Sequence, residues 1–297
     1  MGIIAATGIS AYYGIKLGDK VGSYLPHSYM IPEIAQGIAA FSLGMIGNEI
    51  SRKILRVSSK ISEGEAYSIA SLNAFANASN ESRKITRDRS LEEISNNLIE
   101  VRVAVGDKVC LGSGLMITAD GYIITAHHVI KDLIGNGGRA TVKTQDNLVY
   151  NVPRENVWFN KSTDIAIIKA LKPLSSPAPV KILIDQKCDL QNGQEIRVLG
   201  FRDGQKYNTL GMITHSNYNW QQDDGNIVYD LFQTDARGKG GQSGGVIVNG
   251  LGELVGIVVY SSSSPGEEIG RMGGAKISNA LSYINQIAAK RSSKFFN

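Results

Sequence analysis

The sequence predicts a mainly β fold built from short antiparallel strands, with one helix closing the chain and a helical extension in front. Three observations carry this. From residue 98 the apolar residues recur with period two, as in "LIEVRVAV", where Ile99, Val101, Val103 and Val105 alternate with Glu100 and Arg102. Ten further strand-like runs follow, separated by Gly, Asn and Asp turns, which is the pattern of an antiparallel barrel or sandwich and not of a parallel α/β sheet. Ahead of residue 90 the apolar spacing is instead that of helices.

Residues 1–76 form the helical, Gly- and Ala-rich extension. Gly14, Gly18 and Gly22 recur every four residues and would share a helix face, where small residues allow close helix approach. Arg52, Lys53, Arg56 and Lys60 follow the apolar segment "IPEIAQGIAAFSLGMIGNEI", as the basic flank of a membrane anchor would. Against a membrane role, Lys16, Asp19, Lys20 and Glu33 are costly in lipid, and no apolar run reaches the ~18 residues a spanning helix needs. Residues 1–60 are therefore the candidate for a membrane or adaptor contact, with a soluble docking hairpin as the alternative. The N-terminus lacks the basic start of a secretory signal, and Ala6 stands where a myristoylation motif has Ser or Thr. The expected location is cytoplasmic, with membrane association open.

A helix is expected over 63–78, with Ser62 and Glu65 at capping-box spacing and Ile69, Leu72 and Phe75 as its stripe. The polar stretch 77–90 reads as a linker, followed by a short helix that Ser90 and Glu93 would cap. The β region then runs from 98, and Leu281, Ile284 and Ile287 mark a terminal helix over 279–291, with Ser278 as its cap.

Bulk composition narrows the function classes. The 297 residues carry a net charge of +4, with basic and acidic residues interleaved, which speaks against a nucleic-acid partner. Two cysteines, Cys110 and Cys188, make no disulfide framework and no zinc spacing, so reduced thiols are expected.

The chemistry centres on "GKGGQSGGVIVNG", residues 238–250, in which Ser243 lies among glycines before an apolar strand. A serine hydroxyl is a weak nucleophile until a base takes its proton and an acid orients that base. "GQSGG" also fits the nucleophile elbow G-x-S-x-G, but that fold needs a histidine after the serine, and His27, His127, His128 and His215 all precede Ser243. An acid–His–Ser order could be assembled from Asp164, His215 and Ser243, yet it belongs to a parallel α/β sheet. A better base lies in "GSGLMITADGYIITAHHVI", where a turn at Asp120-Gly121 joins two strands and delivers "TAHHV" at a strand end.

The segments "GSGLMITADGYIITAHHVI", "STDIAIIKA" and "TDARGKGGQSGGVIVNGLGELVGIVV" resemble, in order and separation, the signature regions of trypsin-like serine proteases of the HtrA/Do type. The resemblance covers about 98–290. It implies a chymotrypsin-like fold of two antiparallel six-stranded β-barrels, the first over about 98–175 and the second over about 185–278, within a protease domain at 91–297. It implies serine endopeptidase activity through an acyl-enzyme, polypeptide substrates, and no metal or organic cofactor. Residue by residue it makes His128 the general base, Asp164 its orienting acid and Ser243 the nucleophile. The backbone N–H groups of Gly241 and Ser243 would form the oxyanion hole, with Gln242 between them. His127 is expected on the opposite strand face, outside the site, and Asp235 in "TDARG" is a rival acid that matches a position outside the triad. Arg237 falls near the base of the primary specificity pocket, with Val259, Tyr260 and Ser261 along its wall. There Arg237 would select Asp or Glu, unless it turns outward into solvent.

Three departures from the wider family qualify this. Val129 replaces the cysteine of digestive-type enzymes, Gln242 replaces the acid that pairs with a newly cut N-terminus, and no PDZ module is expected after residue 290. A different class of function, a protease-fold binding or chaperone-like module with a latent site, is the alternative.

Overall fold

The computed structural model describes residues 63–79, 85–135, 137–171, 180–222, 225–238, 240–262 and 270–293. The expectations for residues 1–60, including the glycine spacing and the basic cluster, lie outside the described residues. The chain divides into two units, Met1–Ala74 with Gln286–Asn297, and Phe75–Asn285. Helix α1 spans Glu63–Asn77, close to the expected 63–78, and its stripe of Ile69, Leu72 and Phe75 is buried.

Helix α2 covers Arg87–Asn97 and is capped by Thr86, whose hydroxyl accepts from the Arg89 backbone N–H. This corrects the sequence reading, which ended a linker at residue 90 and placed the cap at Ser90. Residues 87–90 are helical because Thr86 supplies the extended backbone and the side-chain acceptor that a helix start needs. Ser90 is buried one turn in, donating to the Gly252 carbonyl at 2.9 Å and accepting from the Leu183 N–H at 2.8 Å.

The first sheet contains β1 (Leu98–Val105), β2 (Lys108–Met116), β3 (Tyr122–Ala126), β4 (Arg139–Lys143), β5 (Val149–Val152), β6 (Val157–Asn160) and β7 (Ile165–Lys169), with helix α3 (His127–Gly135) between β3 and β4. Its spatial order is β5-β4-β1-β2-β3-β7-β6, antiparallel throughout. The alternation read in β1 holds: Ile99, Val101 and Val103 are buried, Glu100 is half-buried and Arg102 is exposed. In β3 every residue is buried, which suits a strand covered on both faces.

The second sheet contains β8 (Leu183–Ile184), β9 (Glu195–Arg202), β10 (Gln205–Gln221), β11 (Ile227–Gly238), β12 (Val246–Asn249), β13 (Glu253–Ser262) and β14 (Gly270–Lys276). Its order is β12-β9-β10-β11-β14-β13-β8, and a further β12–β13 pairing closes six of these strands into a barrel. Val198, Ile213, Phe232, Ile247, Val258 and Met272 fill it, each such side chain contributing roughly 1.5–3 kcal/mol through burial. The expected chymotrypsin-like pair of β-units is present as one closed six-stranded barrel and one curled seven-stranded half-barrel, with no β5–β6 ladder among the described residues to join the edges of the first.

Helix α4 spans Ile277–Ser293, and Leu281, Ile284 and Ile287 are buried as expected. Ser278 lies inside its first turn and not before it, with its backbone N–H donating to the Cys188 sulfur at 3.3 Å. Both cysteines are free thiols. Among the described residues, no helix is long and apolar enough to cross a membrane.

Candidate active site

Strand register brings the base and its acid together. β3 and β7 pair with Ala126 opposite Ile165, so the next residue beyond β3, His127, meets the residue just before β7, Asp164. The His127 backbone N–H donates to the Asp164 carbonyl at 2.9 Å. Asp164 turns the chain into β7 with φ of +53°, a left-handed conformation that Asp tolerates better than most residues.

The Asp164 side chain is fully buried and grips His128 twice. Its Oδ2 lies 2.6 Å from His128 Nδ1, and its Oδ1 accepts from the His128 backbone N–H at 2.9 Å. An imidazole held this way carries its proton on Nδ1 and leaves Nε2 as the basic nitrogen. These contacts engage both the backbone N–H and the ring Nδ1 of His128 with one carboxylate.

His127 is not on an opposite strand face. Both histidines open helix α3, where successive side chains are about 100° apart and not 180°. His127 Nδ1 therefore also approaches Asp164 Oδ1, at 3.8 Å, and its ring stacks on Phe159 with centroids 4.7 Å apart. Burial pushes the His127 pKa below its ordinary value, and the Asp164 carboxylate opposes that push only in part. Both imidazoles line a cleft of about 630 Å³ together with Lys131, Phe159, Lys161 and Trp220.

Ser243 lies in the turn between β11 and β12. Gly241 and Gly244 on either side have φ of +95° and +80°, conformations in which a side chain would be strained. Space alone excludes a side chain at Gly244, since a Cβ there would sit 2.1 Å from the Ser113 carbonyl oxygen and 2.3 Å from Thr125 Oγ1. Gln242, between the expected oxyanion donors, is buried. The Ser243 carbonyl accepts from the Ser113 N–H at 2.7 Å, which fastens this turn to β2.

The remaining sequence candidates lie on β10, β11 and β13. Asp235 is exposed and accepts from the Met212 N–H at 2.6 Å. His215 is exposed on β10, paired with Gln233. Arg237 is exposed on β11 in register with Arg271, while Ala236 and Gly238 beside it are buried. Val259 and Tyr260 are buried in β13, and Ser261 follows on the same strand. The Tyr260 ring stacks on Trp220 at 5.1 Å and on Tyr218 at 5.8 Å, and burial raises its phenol pKa strongly.

Residues 112–257 match the family profile of the trypsin-like peptidase domain. This part of the chain is a trypsin-like peptidase domain. The peptidase domain is similar to the serine endoprotease DegS of Salmonella typhimurium, 32% identical over 184 residues, which covers 61% of this chain and 46% of that protein. It is similar also to a serine protease HtrA-like protein of Staphylococcus aureus, 33% identical over 170 residues, covering 53% of this chain and 21% of that protein. The matches thus take in less than half the length of these curated relatives. Among solved structures, the HtrA-type protease AlgW with a tripeptide superposes with a TM-score of 0.54 at 21% identity, covering 69% of this chain and 64% of that one. Deg5 superposes at 0.53 and 18% identity, covering 66% and 91%. These likenesses establish the HtrA-type, chymotrypsin-like fold of the peptidase domain.

Two neighbours of these residues, His127 and Ser113, have only indirect signals in the sequence: the apolar run "VIKDLI" after His127 suits a helix, and the paired glycines around Ser113 inside a strand signal close backbone approach.

Proposed function

We propose that this chain is a serine endopeptidase acting through His128, Asp164 and Ser243. The observation that carries the reading is the double contact of the buried Asp164 carboxylate with His128, inside a peptidase domain whose glycine-framed turn presents Ser243. His128 Nε2 takes the proton of the Ser243 hydroxyl as its oxygen attacks the substrate carbonyl carbon. The carbonyl π bond opens to an oxyanion, which the Gly241 and Ser243 backbone N–H groups hold with Gln242 between them. Asp164 stabilises the imidazolium without taking its proton. His128 then protonates the leaving amine, the C–N bond breaks, and an acyl-enzyme remains. Water, deprotonated by His128, attacks that ester, and the Ser243 hydroxyl leaves with the proton returned.

The substrate in this reading is a polypeptide. The cleft beside His128, walled by Phe159 and Trp220, suits an extended chain, and AlgW, a neighbour in fold, is solved with a tripeptide. Val259, Tyr260 and Ser261 would flank the side chain next to the scissile bond. A membrane or adaptor contact through residues 1–60 is a separate proposal that rests on sequence, and flotation of the full chain with anionic liposomes tests it.

Fluorophosphonate labelling of the purified protein tests the peptidase reading, because the probe needs an activated serine. Wild type should be labelled, and Ser243→Ala and His128→Ala should both abolish the label. A folded wild type that takes no label favours the second reading, a latent or purely binding module.

A further inference from the structure

We infer that Ser113 is a positioning residue for the oxyanion turn: its hydroxyl holds the Gly241 carbonyl, and through it the peptide plane that leads to Ser243. The inference rests on the reading of Ser243 as nucleophile.

Ser113 is fully buried on β2, where an apolar side chain would be the usual occupant. All of its polar groups are used. The hydroxyl donates to the Gly241 carbonyl at 2.8 Å and accepts from the Phe201 backbone N–H at 2.7 Å. Its backbone N–H donates to the Ser243 carbonyl at 2.7 Å, and its own carbonyl accepts from Thr125 Oγ1 at 2.7 Å. Three of these four bonds run from the first sheet to residues of the second barrel or its Ser243 turn.

The flanking glycines make that reach possible. A Cβ at Gly112 would lie 2.5 Å from Val129 Cγ1 and 3.1 Å from the Ser243 carbonyl oxygen, and one at Gly114 would lie 2.8 Å from Ile123 Cγ2. Only a bare backbone lets β2 come this near both the first turn of α3 and the Ser243 turn.

On the other side Gly241 is bounded by β9. Its absent Cβ would point at the Phe201 carbonyl oxygen, 3.2 Å away, and Phe201 is fixed by its pairing with Lys206. Gly241 is thus set between a strand and a hydroxyl. A trans peptide is planar, with C=O and N–H pointing in opposite directions. Holding the Gly241 carbonyl therefore sets ψ of Gly241 and the direction of the Gly241–Gln242 peptide plane, one link before Ser243. Without the hydroxyl, Gly241 has the freedom of a glycine to turn that plane over, and the buried Phe201 N–H loses its acceptor.

The test compares Ser113→Ala with Ser113→Thr, which keeps the hydroxyl, and Ser113→Cys, which keeps only a weak donor and weak acceptor. Four readouts are taken: kcat and KM on a fluorogenic peptide, affinity for a peptidyl boronate, melting temperature, and amide exchange over 238–246. Ser113→Ala should lower kcat about 10- to 100-fold with KM within about threefold. Boronate affinity should fall in parallel, and exchange should rise at 240–244 but not in β1. Thr should restore most of the loss and Cys should lie between; if Ala does not fold, Cys against Thr makes the comparison. Unchanged kcat with unchanged exchange at 240–244 overturns the inference, as does a loss that tracks melting temperature with exchange raised everywhere. If wild type neither turns over nor takes fluorophosphonate, the peptidase reading fails, and the exchange comparison still decides the role of Ser113.

Discussion

Both carboxylate oxygens of Asp164 are committed to one residue: Oδ2 meets Nδ1 of His128 at 2.6 Å, while Oδ1 accepts its backbone N–H at 2.9 Å. Ring and backbone are thereby referred to the same buried group, so the imidazole cannot rotate without parting from Asp164. Asp164→Asn is the informative change. Asn tolerates the +53° φ of this position, so the fold should persist, but with its amide oxygen taken by the His128 backbone N–H, its NH2 faces Nδ1 and donates there. A kcat drop on the order of 10⁴-fold is expected from the wrong tautomer. It would be measured on a fluorogenic peptide, with circular dichroism showing native secondary structure. A loss below about tenfold would count against the orienting role.

His127 gives a pH-dependent stability with a definite sign. Its pKa in the folded chain lies below the ordinary 6.5 because it is buried. The fold therefore favours the neutral ring, and the unfolded chain takes up the proton first. This contribution is fully present above the unfolded pKa and is lost as pH falls through the lowered folded value. Urea midpoints of wild type and His127→Gln should converge as pH falls from 7.5 to 5, with wild type losing more. Parallel curves would remove His127 from the pH response.

Gly244 tolerates no side chain. Ala there would place its Cβ 2.1 Å from the Ser113 carbonyl oxygen, in a backbone conformation with φ of +80°. Strain of this kind costs about 1–3 kcal/mol before any overlap is relieved. Gly244→Ala should lower the urea midpoint and abolish fluorophosphonate labelling together. By contrast, Gly250, with open space around it, should accept Ala with little change in either measurement.

Ser90 ties helix α2 to the second barrel. Ser90→Ala leaves the Gly252 carbonyl and the Leu183 N–H without their buried partner. A loss of about 1–3 kcal/mol in unfolding free energy is expected, read from chemical denaturation. Ser90→Thr should recover part of it.

Much of this architecture is legible in the sequence because period-two alternation survives in strands such as β1, and because stripes such as Ile69, Leu72 and Phe75 survive in helices. What the sequence hides depends on where local rules give way to neighbours. Ser90 and Glu93 have capping spacing, but Thr86 takes that role because the chain already turns extended there. "TAHHV" reads as a strand end because Ile123, Ile124 and Thr125 are β-formers, yet the helix begins at His127 and turns both imidazoles toward Asp164. Arg237 could not be oriented from composition; its strand parity, opposite to that of the buried Ala236 and Gly238, leaves it exposed. The Asp164–His128 pairing could be inferred only by resemblance, since the register that joins Ala126 to Ile165 spans a long insertion of α3, β4, β5 and β6.

The division of labour between the two sheets has a consequence for biosynthesis. The first sheet and its edges carry His128 and Asp164, whereas the turn bearing Ser243 is held between β9, β12 and β2. In the proposed mechanism, a ribosome-bound chain that has emerged only through β7 owns an oriented base and no nucleophile. Ser243 is translated well after that, and its turn gains a fixed backing only when β12 has paired with β9 and β13. Hydrolytic competence in the proposed mechanism is thereby deferred until nearly the whole domain has been made, which spares the nascent chain and its neighbours from premature cutting.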